Sequence, residues 1–376
     1  MDKIVIKGGS PLKGSVHISG AKNAVLPIMA ATLLAPGKFT IRNVPDLRDV
    51  KTRAHLLRII GAQVEYGDHT LKINTSNCNF YEAPYELVKT MRASIYVLGP
   101  LLARFSNAKV SLPGGCALGP RPVDLHIKGL TQLGAQIELN NGYICAKAAR
   151  LRGAHINFDI SSVGATGNIL MASVLANGVT LIENAAREPE IAALANFLVQ
   201  MGAEIEGIGT GQLKIRGVKE LHEVDFTIIP DRIETGTFLI AAAITNGEVT
   251  LTGADPHLVA SLTAKLKNAG IYIEEGKSTI YCSAPERVKA ADVTTAPYPG
   301  FPTDLQAQWM ALMSVAQGSS VITDTIFFDR FTHVAELKRL GAQIELNENV
   351  AVVRGIECLS GAPVMSTDLR ASASLI

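Results

Sequence analysis

Hydrophobic positions along this chain recur in two alternating rhythms, and the alternation itself repeats. Residues 24–34 are apolar and alanine-rich with no polar face, which reads as a buried helix. They run through Pro36-Gly37 into the alternating Phe39-Thr40-Ile41, which reads as a strand. The same order returns at residues 91–102 into Val110, 165–175 into Val179, 236–244 into Val249 and 305–315 into Val321. The strand residues Phe39, Val110, Val179, Val249 and Val321 follow one another at about 70 positions, the mark of an internal repeat. Each repeat has a second half. An amphipathic helix stops at Gly61, Gly134, Gly202, Ala269-Gly270 or Gly341, where a left-handed closing residue is expected, and a half-exposed strand follows.

Five units are complete in this reading, and a sixth opens at Thr367-Asp368 and runs out inside its first helix. The expected fold class is α/β, built of repeated βαβαββ-type units, three per domain. A boundary near Ile229-Pro230 gives a first domain over residues 21–229 and a second over residues 1–20 plus 230–376, completed by the leading strand. Because an unfinished unit leaves a neighbouring core uncovered, the expectation is of a chain shortened at its C-terminus and impaired in activity.

Composition narrows the function. With 376 residues, 47% apolar and 18% charged, and with 35 basic against 34 acidic side chains, the chain is a compact globular protein of near-zero net charge. That balance speaks against a nucleic-acid or membrane-surface binder. Cys78, Cys116, Cys145, Cys282 and Cys358 are odd in number and scattered, which fits free thiols in a reducing cytoplasm. Neither they nor the eight histidines show a metal-ligand spacing. The N-terminus lacks the apolar run of a signal peptide, and no stretch approaches the roughly 20 apolar residues of a membrane span.

The candidate chemistry lies where the apolar helices begin. Their starts are polar, at Lys22-Asn23, Arg92, Gly164-Ala165-Thr166, Glu234, Thr303-Asp304 and Asp368 to Arg370, and helix N-termini opening on one cleft favour phosphate or carboxylate. The stretch from Pro113 to Pro122 holds three glycines and three prolines, so it is an irregular loop carrying the thiol of Cys116 beside the guanidinium of Arg121. On the loop alone, Cys116 reads equally as a reactive thiol or as an incidental exposed cysteine. Lys22 reads equally as a clamp or a solvated lysine, and Thr303-Asp304-Leu305-Gln306 reads as a capping box as readily as a catalytic turn.

Together, Ser19-Gly-Ala-Lys-Asn-Ala24, Pro113-Gly-Gly-Cys116, Arg121-Pro-Val-Asp-Leu-His126, Asn184-Ala-Ala-Arg-Glu-Pro-Glu190, Pro230-Asp-Arg-Ile-Glu-Thr-Gly236 and Pro302-Thr-Asp304 closely resemble the UDP-N-acetylglucosamine 1-carboxyvinyltransferase family. The resemblance spans the chain. It implies a two-domain inside-out α/β barrel, and transfer of enolpyruvate from phosphoenolpyruvate to the 3'-hydroxyl of UDP-N-acetylglucosamine, with release of phosphate, in peptidoglycan synthesis. It implies small-molecule substrates, no cofactor, no metal, no nucleic acid and no membrane. Cys116 would protonate the methylene carbon and be the residue that fosfomycin alkylates. Lys22, Asn23 and Arg121 would hold phosphoenolpyruvate. Arg92, Arg121, Pro122, Val123, Asp124, Leu125, Ile160, Ser161, Ser162, Val163, Gly164, Asp304 and Ile326 would bind the nucleotide sugar, and Asp304 would take the hydroxyl proton. Glu188, Asp231, Arg330, Asp368 and Arg370 would support the cleft, as an ion-pair scaffold or by direct contact. The alternatives are the related transferase of shikimate metabolism and a non-catalytic UDP-sugar-binding regulator.

Overall fold

The computed structural model describes residues 3–88, 92–112, 123–366, 368 and 370–376, with the side chains of residues 87, 88, 92 and 93 outside the description. The described chain forms five four-stranded sheets, one per repeat. In the first, Lys38–Arg42 pairs antiparallel with Thr70–Asn74, which pairs antiparallel with Gln63–Gly67. A fourth strand, Asp225–Thr227, lies parallel on the other side of Lys38–Arg42. Phe39, Ile41, Leu71 and Ile73 point inward from this sheet and Lys38, Arg42 and Lys72 outward, so the period-two pattern fixes the register.

The strands divide between two compact units. The larger takes the described part of residues 20–229 and holds three sheets; the smaller takes the N-terminal 19 residues with Pro230–Ile376 and holds two. In each unit one sheet borrows its outer strand from far along the chain. Asp225–Thr227 completes the first repeat's sheet. Lys13–His17 pairs parallel with Glu248–Thr252 and completes the fourth repeat's sheet.

Inside each unit lie the apolar helices, with the sheets outside them. In the larger unit the helices Lys22–Ala31, Leu98–Phe105 and Val163–Ser173 bury Ile28, Met29, Leu101, Ile169 and Leu170 completely. In the smaller unit, every residue of the helix Gln306–Met313 is buried, and Trp309 donates its ring N–H to the carbonyl of Ala291 at 3.2 Å. A helix with no polar face is stable only when covered all round, which is why these helices run through the middle of each unit.

The second-half helices all close in one way. Gly61, Gly134, Gly202, Gly270 and Gly341 have φ of 108°, 93°, 105°, 90° and 95°. After each, the next residue's N–H reaches back five positions, as Ala62 does to Leu57 and Ala342 to Leu337. A side chain with a Cβ is strained there, so the glycine marks the turn in every repeat. Glycine also recurs where the chain leaving a strand passes close to the turn after a first-half helix: a Cβ on Gly217 would meet the carbonyl oxygen of Ala176 at 1.7 Å, and one on Gly355 would meet that of Ala316 at 1.8 Å.

Two of the first-half helices depart from the sequence reading. The segment expected over residues 91–102 is a 3₁₀ turn, Arg92–Val97, followed by the helix Leu98–Phe105. Pro100 has no N–H to give the carbonyl of Tyr96, so the α-helix starts just before it. The fifth repeat likewise opens with a 3₁₀ turn, Thr303–Leu305, before Gln306–Met313. The Asn43 and Asn184 side chains, each after a first-half strand and at positive φ, donate to the carbonyls of Ile228 and Phe158 and tie the turn to the borrowed or preceding outer strand. Among the described residues, no helix is long and apolar enough to cross a membrane.

Candidate functional site

In the larger unit the sequence-designated residues gather at helix starts. Lys22 is the first residue of its helix, whose preceding residue, Ala21, makes no side-chain cap. Its ammonium lies 3.6 Å from Asp49 Oδ2, in the first turn of the helix Arg48–Ile60, and its side chain is only 15% exposed. A lysine at a helix N-terminus opposes the dipole, and Asp49 offsets that. The outcome is a positive charge held at the positive end of a helix, which is what an incoming anion requires. Asn23 follows, half-buried.

The turn before the helix Val163–Ser173 is built differently. Ser162 caps the helix, its Oγ accepting from the Ala165 N–H at 3.3 Å, and its carbonyl accepts from Thr166 at 2.9 Å. No described group accepts from the N–H of Val163 or Gly164, the two donors that remain at this terminus. The Tyr96 hydroxyl, whose pKa burial raises, donates to the Val163 carbonyl at 3.3 Å and steadies the turn from behind. Ser161 is half-buried, whereas Ile160 is 73% exposed and offers this turn an apolar edge.

Val123, Asp124 and Leu125 form the start of a third helix, Asp124–Gln132; Val123 and Leu125 pack partly on the core while Asp124 is exposed. Glu188 immediately precedes the helix Pro189–Gln200, with its Oε2 buried and unpartnered among the described residues. Arg92 opens its 3₁₀ turn, with its side chain outside the described residues. Cys116, Arg121 and Pro122 lie outside the described residues, as does the rest of the loop from Pro113 to Pro122.

The smaller unit holds a second polar centre around Asp304. Arg330 approaches Asp304 Oδ1 to 2.7 Å, and Arg370 Nε lies 3.3 Å from Oδ2. Burial alone would push the carboxyl pKa up, but the charges of Arg370, Arg330 and Arg232 and the Arg330 hydrogen bond outweigh it and hold it below the ordinary value. Asp304 therefore stands ionised between two guanidiniums. Arg330 also donates to the Thr303 hydroxyl at 3.1 Å, and that hydroxyl donates to Asp324 Oδ2 at 2.7 Å. With its hydroxyl engaged in this way, Thr303 does not cap the helix, and the capping box read from Thr303 and Gln306 does not form. Gln306 is instead fully buried, both polar atoms unpartnered among the described residues.

Asp231 accepts from the N–H groups of Ile233 and Glu234 and so caps the helix Arg232–Ile244. Asp368 does the same for the final 3₁₀ turn, accepting from Arg370 at 2.8 Å and Ala371 at 2.6 Å. Both carboxylates thus have structural work at helix starts, and Asp368 also sets the backbone that carries Arg370. Sequence reasoning missed Asp324. Fully buried, it accepts from Thr295, Thr303 and the N–H groups of Ile326 and Phe327, which fixes the turn bearing Ile326 and the hydroxyl beside Asp304. The signal was available: Asp324 follows the fifth first-half strand, where Asn43 and Asn184 stand in the first and third.

The four described cysteines are unpaired, and among the described residues no group of three or more His, Cys, Asp or Glu is placed to hold a metal ion. Residues 6–376 match the family model described as EPSP synthase (3-phosphoshikimate 1-carboxyvinyltransferase). The chain is 57% identical, over its whole length and 90% of the relative's, to UDP-N-acetylglucosamine 1-carboxyvinyltransferase of Thermodesulfovibrio yellowstonii. It is 58% identical to the protein of the same name from Chloroherpeton thalassium, covering 88% of that relative. Among solved structures, the enolpyruvyl transferase NikO from Streptomyces tendae superposes with a TM-score of 0.88 at 26% identity, covering 98% of this chain and 88% of that one. EPSP synthase from Acinetobacter baumannii, at 19% identity and a TM-score of 0.74 over 98% of this chain and 89% of that one, shares the fold.

Proposed function

The chain belongs to the enolpyruvyl transferase family, in the branch of the UDP-N-acetylglucosamine 1-carboxyvinyltransferases, and from that premise we propose that it transfers enolpyruvate from phosphoenolpyruvate to the 3'-hydroxyl of UDP-N-acetylglucosamine. The observation that carries this reading is the 57–58% identity to proteins of that name over the whole chain. The shikimate-branch alternative shares the family model over residues 6–376 and the fold, but at 19% identity to the solved EPSP synthase against 57–58% to the nucleotide-sugar transferases.

The residues take these roles. Lys22, with Asn23 and Arg121, holds the phosphate and carboxylate of phosphoenolpyruvate. The N–H groups of Val163 and Gly164, from which no described group accepts, receive the diphosphate of the nucleotide, with Ser161, Ser162 and Ile160 around it, and Arg92, Pro122, Val123, Asp124, Leu125 and Ile326 are the further nucleotide-sugar-binding residues. Cys116 gives a proton to the methylene carbon while the 3'-oxygen bonds to the adjacent carbon and its own proton passes to Asp304. A tetrahedral intermediate results. Loss of a methyl proton and of phosphate then restores the double bond in the product, so one hydroxyl and one phosphoenolpyruvate yield one enol ether and one phosphate. The clamp stabilises charge that builds on the phosphate and carboxylate, the largest catalytic contribution expected here. Glu188, Asp231, Arg330, Asp368 and Arg370 hold the shape and charge of the two centres. Cys116, as a proton donor that is also nucleophilic, is the residue fosfomycin alkylates, and the protein works in the cytoplasm.

Phosphate release tests the acceptor. With phosphoenolpyruvate present, release is expected with UDP-N-acetylglucosamine and not with shikimate 3-phosphate. Release with the shikimate acceptor alone would move the chain to the other branch, and tight nucleotide-sugar binding without turnover would make it a non-catalytic binder.

A further inference from the structure

Behind the Ser162–Gly164 turn lies a histidine whose protonation is dictated by its neighbours. His126, on the helix Asp124–Gln132, is 7% exposed, and its Nδ1 lies 3.0 Å from the side-chain nitrogen of Asn168. The orientation of that amide is fixed, because Asn168 Oδ1 accepts from the backbone N–H of Gly99 at 2.6 Å. Turned round, it would set two donors against each other. The NH₂ end therefore donates, to the carbonyl of Ile95 at 2.9 Å and to His126 Nδ1. Nδ1 must then be the acceptor, and the ring carries its proton on Nε2. Burial, only partly opposed by Asp124, pushes the imidazole pKa down to about 4, so the ring is neutral at physiological pH.

The Nε2 side of the ring faces the helix start. A Cβ built on Gly164 would meet Nε2 at 3.1 Å and Cε1 at 3.3 Å. Gly164 is the second residue of the eleven-residue helix Val163–Ser173, beside the two N–H groups that no described group accepts. No described group accepts the Nε2 proton either. The residue is 7% exposed, and this edge of its ring, with the two backbone N–H groups, places three donors from which no described group accepts at one helix start, the arrangement an anion fits. Glycine at 164 keeps this edge of the ring uncovered.

We infer that His126 donates its Nε2–H to a phosphate oxygen of the nucleotide diphosphate held at the Ser162–Gly164 turn, alongside the Val163 and Gly164 N–H groups. This assignment rests on the nucleotide-sugar reading above. It makes His126 a binding residue whose donor is present at every pH at which the ring is neutral, and Asn168 the positioning residue that keeps the proton on the side facing the ligand.

Two substitutions separate ligand contact from packing. In His126→Asn the amide reaches the place of Nδ1 and keeps the Asn168 contact without the ligand donor; in His126→Gln the amide nitrogen reaches the place of Nε2. By calorimetry on the full chain, His126→Asn is expected to raise the Kd for UDP-N-acetylglucosamine by about 10- to 100-fold, as for loss of a hydrogen bond to a charged group. Uridine, which has no diphosphate, is expected to bind as before, and His126→Gln to stay within about 3-fold of the natural protein. Wild-type affinity in His126→Asn, or equal loss for uridine, overturns the assignment while leaving the nucleotide-sugar reading intact. Failure of the unsubstituted protein to bind UDP-N-acetylglucosamine overturns both. Should His126→Asn not fold, ¹⁵N spectra of the natural protein decide: a protonated Nε2 that shifts on adding UDP supports the contact, and an unprotonated or unmoved Nε2 refutes it.

Discussion

Asp304→Asn is expected to lower kcat by about 10²- to 10⁴-fold, the range for loss of a positioned general base, while the KM for phosphoenolpyruvate stays within a few-fold. The size of the effect follows from the clamp. Arg330 and Arg370 keep the carboxyl below its ordinary value of 3.8, so it is ionised in the free protein throughout the neutral range. Any acid limb of kcat/KM that belongs to Asp304 therefore falls below pH 3.8, and the substitution removes that limb along with the rate. The same clamp makes Asp304 a weak base at equilibrium. In the proposed reaction, proton transfer to Asp304 is therefore expected to be concerted with C–O bond formation, when the hydroxyl becomes acidic. A kcat for Asp304→Asn within a few-fold of the unsubstituted protein, in a variant of unchanged melting temperature, would remove Asp304 from the chemistry and leave it a structural partner of the two arginines.

Lys22→Gln is expected to lower kcat/KM for phosphoenolpyruvate by about 10²- to 10³-fold, on the scale of removing one donor from a preorganised anion site. The ammonium sits at a helix start and is largely buried, so its charge is poorly screened, and glutamine of similar reach supplies a dipole in its place. Lys22→Arg, which keeps the charge but not the shape, is expected to recover part of the loss. The Kd for UDP-N-acetylglucosamine should change little. The reverse pattern, with nucleotide-sugar affinity lost and phosphoenolpyruvate kinetics kept, would place Lys22 in the other substrate's site. Because the substitution also leaves Asp49 without its partner at 3.6 Å, melting temperatures belong beside the kinetics.

The repeat carried most of the fold into view. Its apolar helices have no polar face and must be buried, and its closing glycines take the left-handed conformation at all five stops, because both features follow from local chemistry. What stayed hidden was one local effect and several contacts between distant parts of the chain. Residues 92–97 form a 3₁₀ turn because of Pro100, a local cause that periodicity alone passes over. The hydroxyl of Thr303 bonds to Asp324, twenty-one positions on, and a motif scan that sees only Thr303 and Gln306 reads a cap instead. His126 was visible as part of a motif, yet its donor face depends on an amide forty-two positions away, itself oriented by Gly99. The helix-start residues Lys22, Ser162 and Asp304 were legible because anion chemistry and helix ends leave the same polar mark in sequence.

The most direct measurement takes phosphoenolpyruvate labelled with ¹³C at carbon 2, incubates it with the protein and UDP-N-acetylglucosamine, and follows the label by NMR and the nucleotide by mass spectrometry. The account predicts that the labelled carbon appears as an enol ether on the 3'-oxygen of the nucleotide sugar, in step with released phosphate. Unchanged nucleotide sugar beside intact phosphoenolpyruvate, or label arriving on an acceptor without a nucleotide, would contradict it.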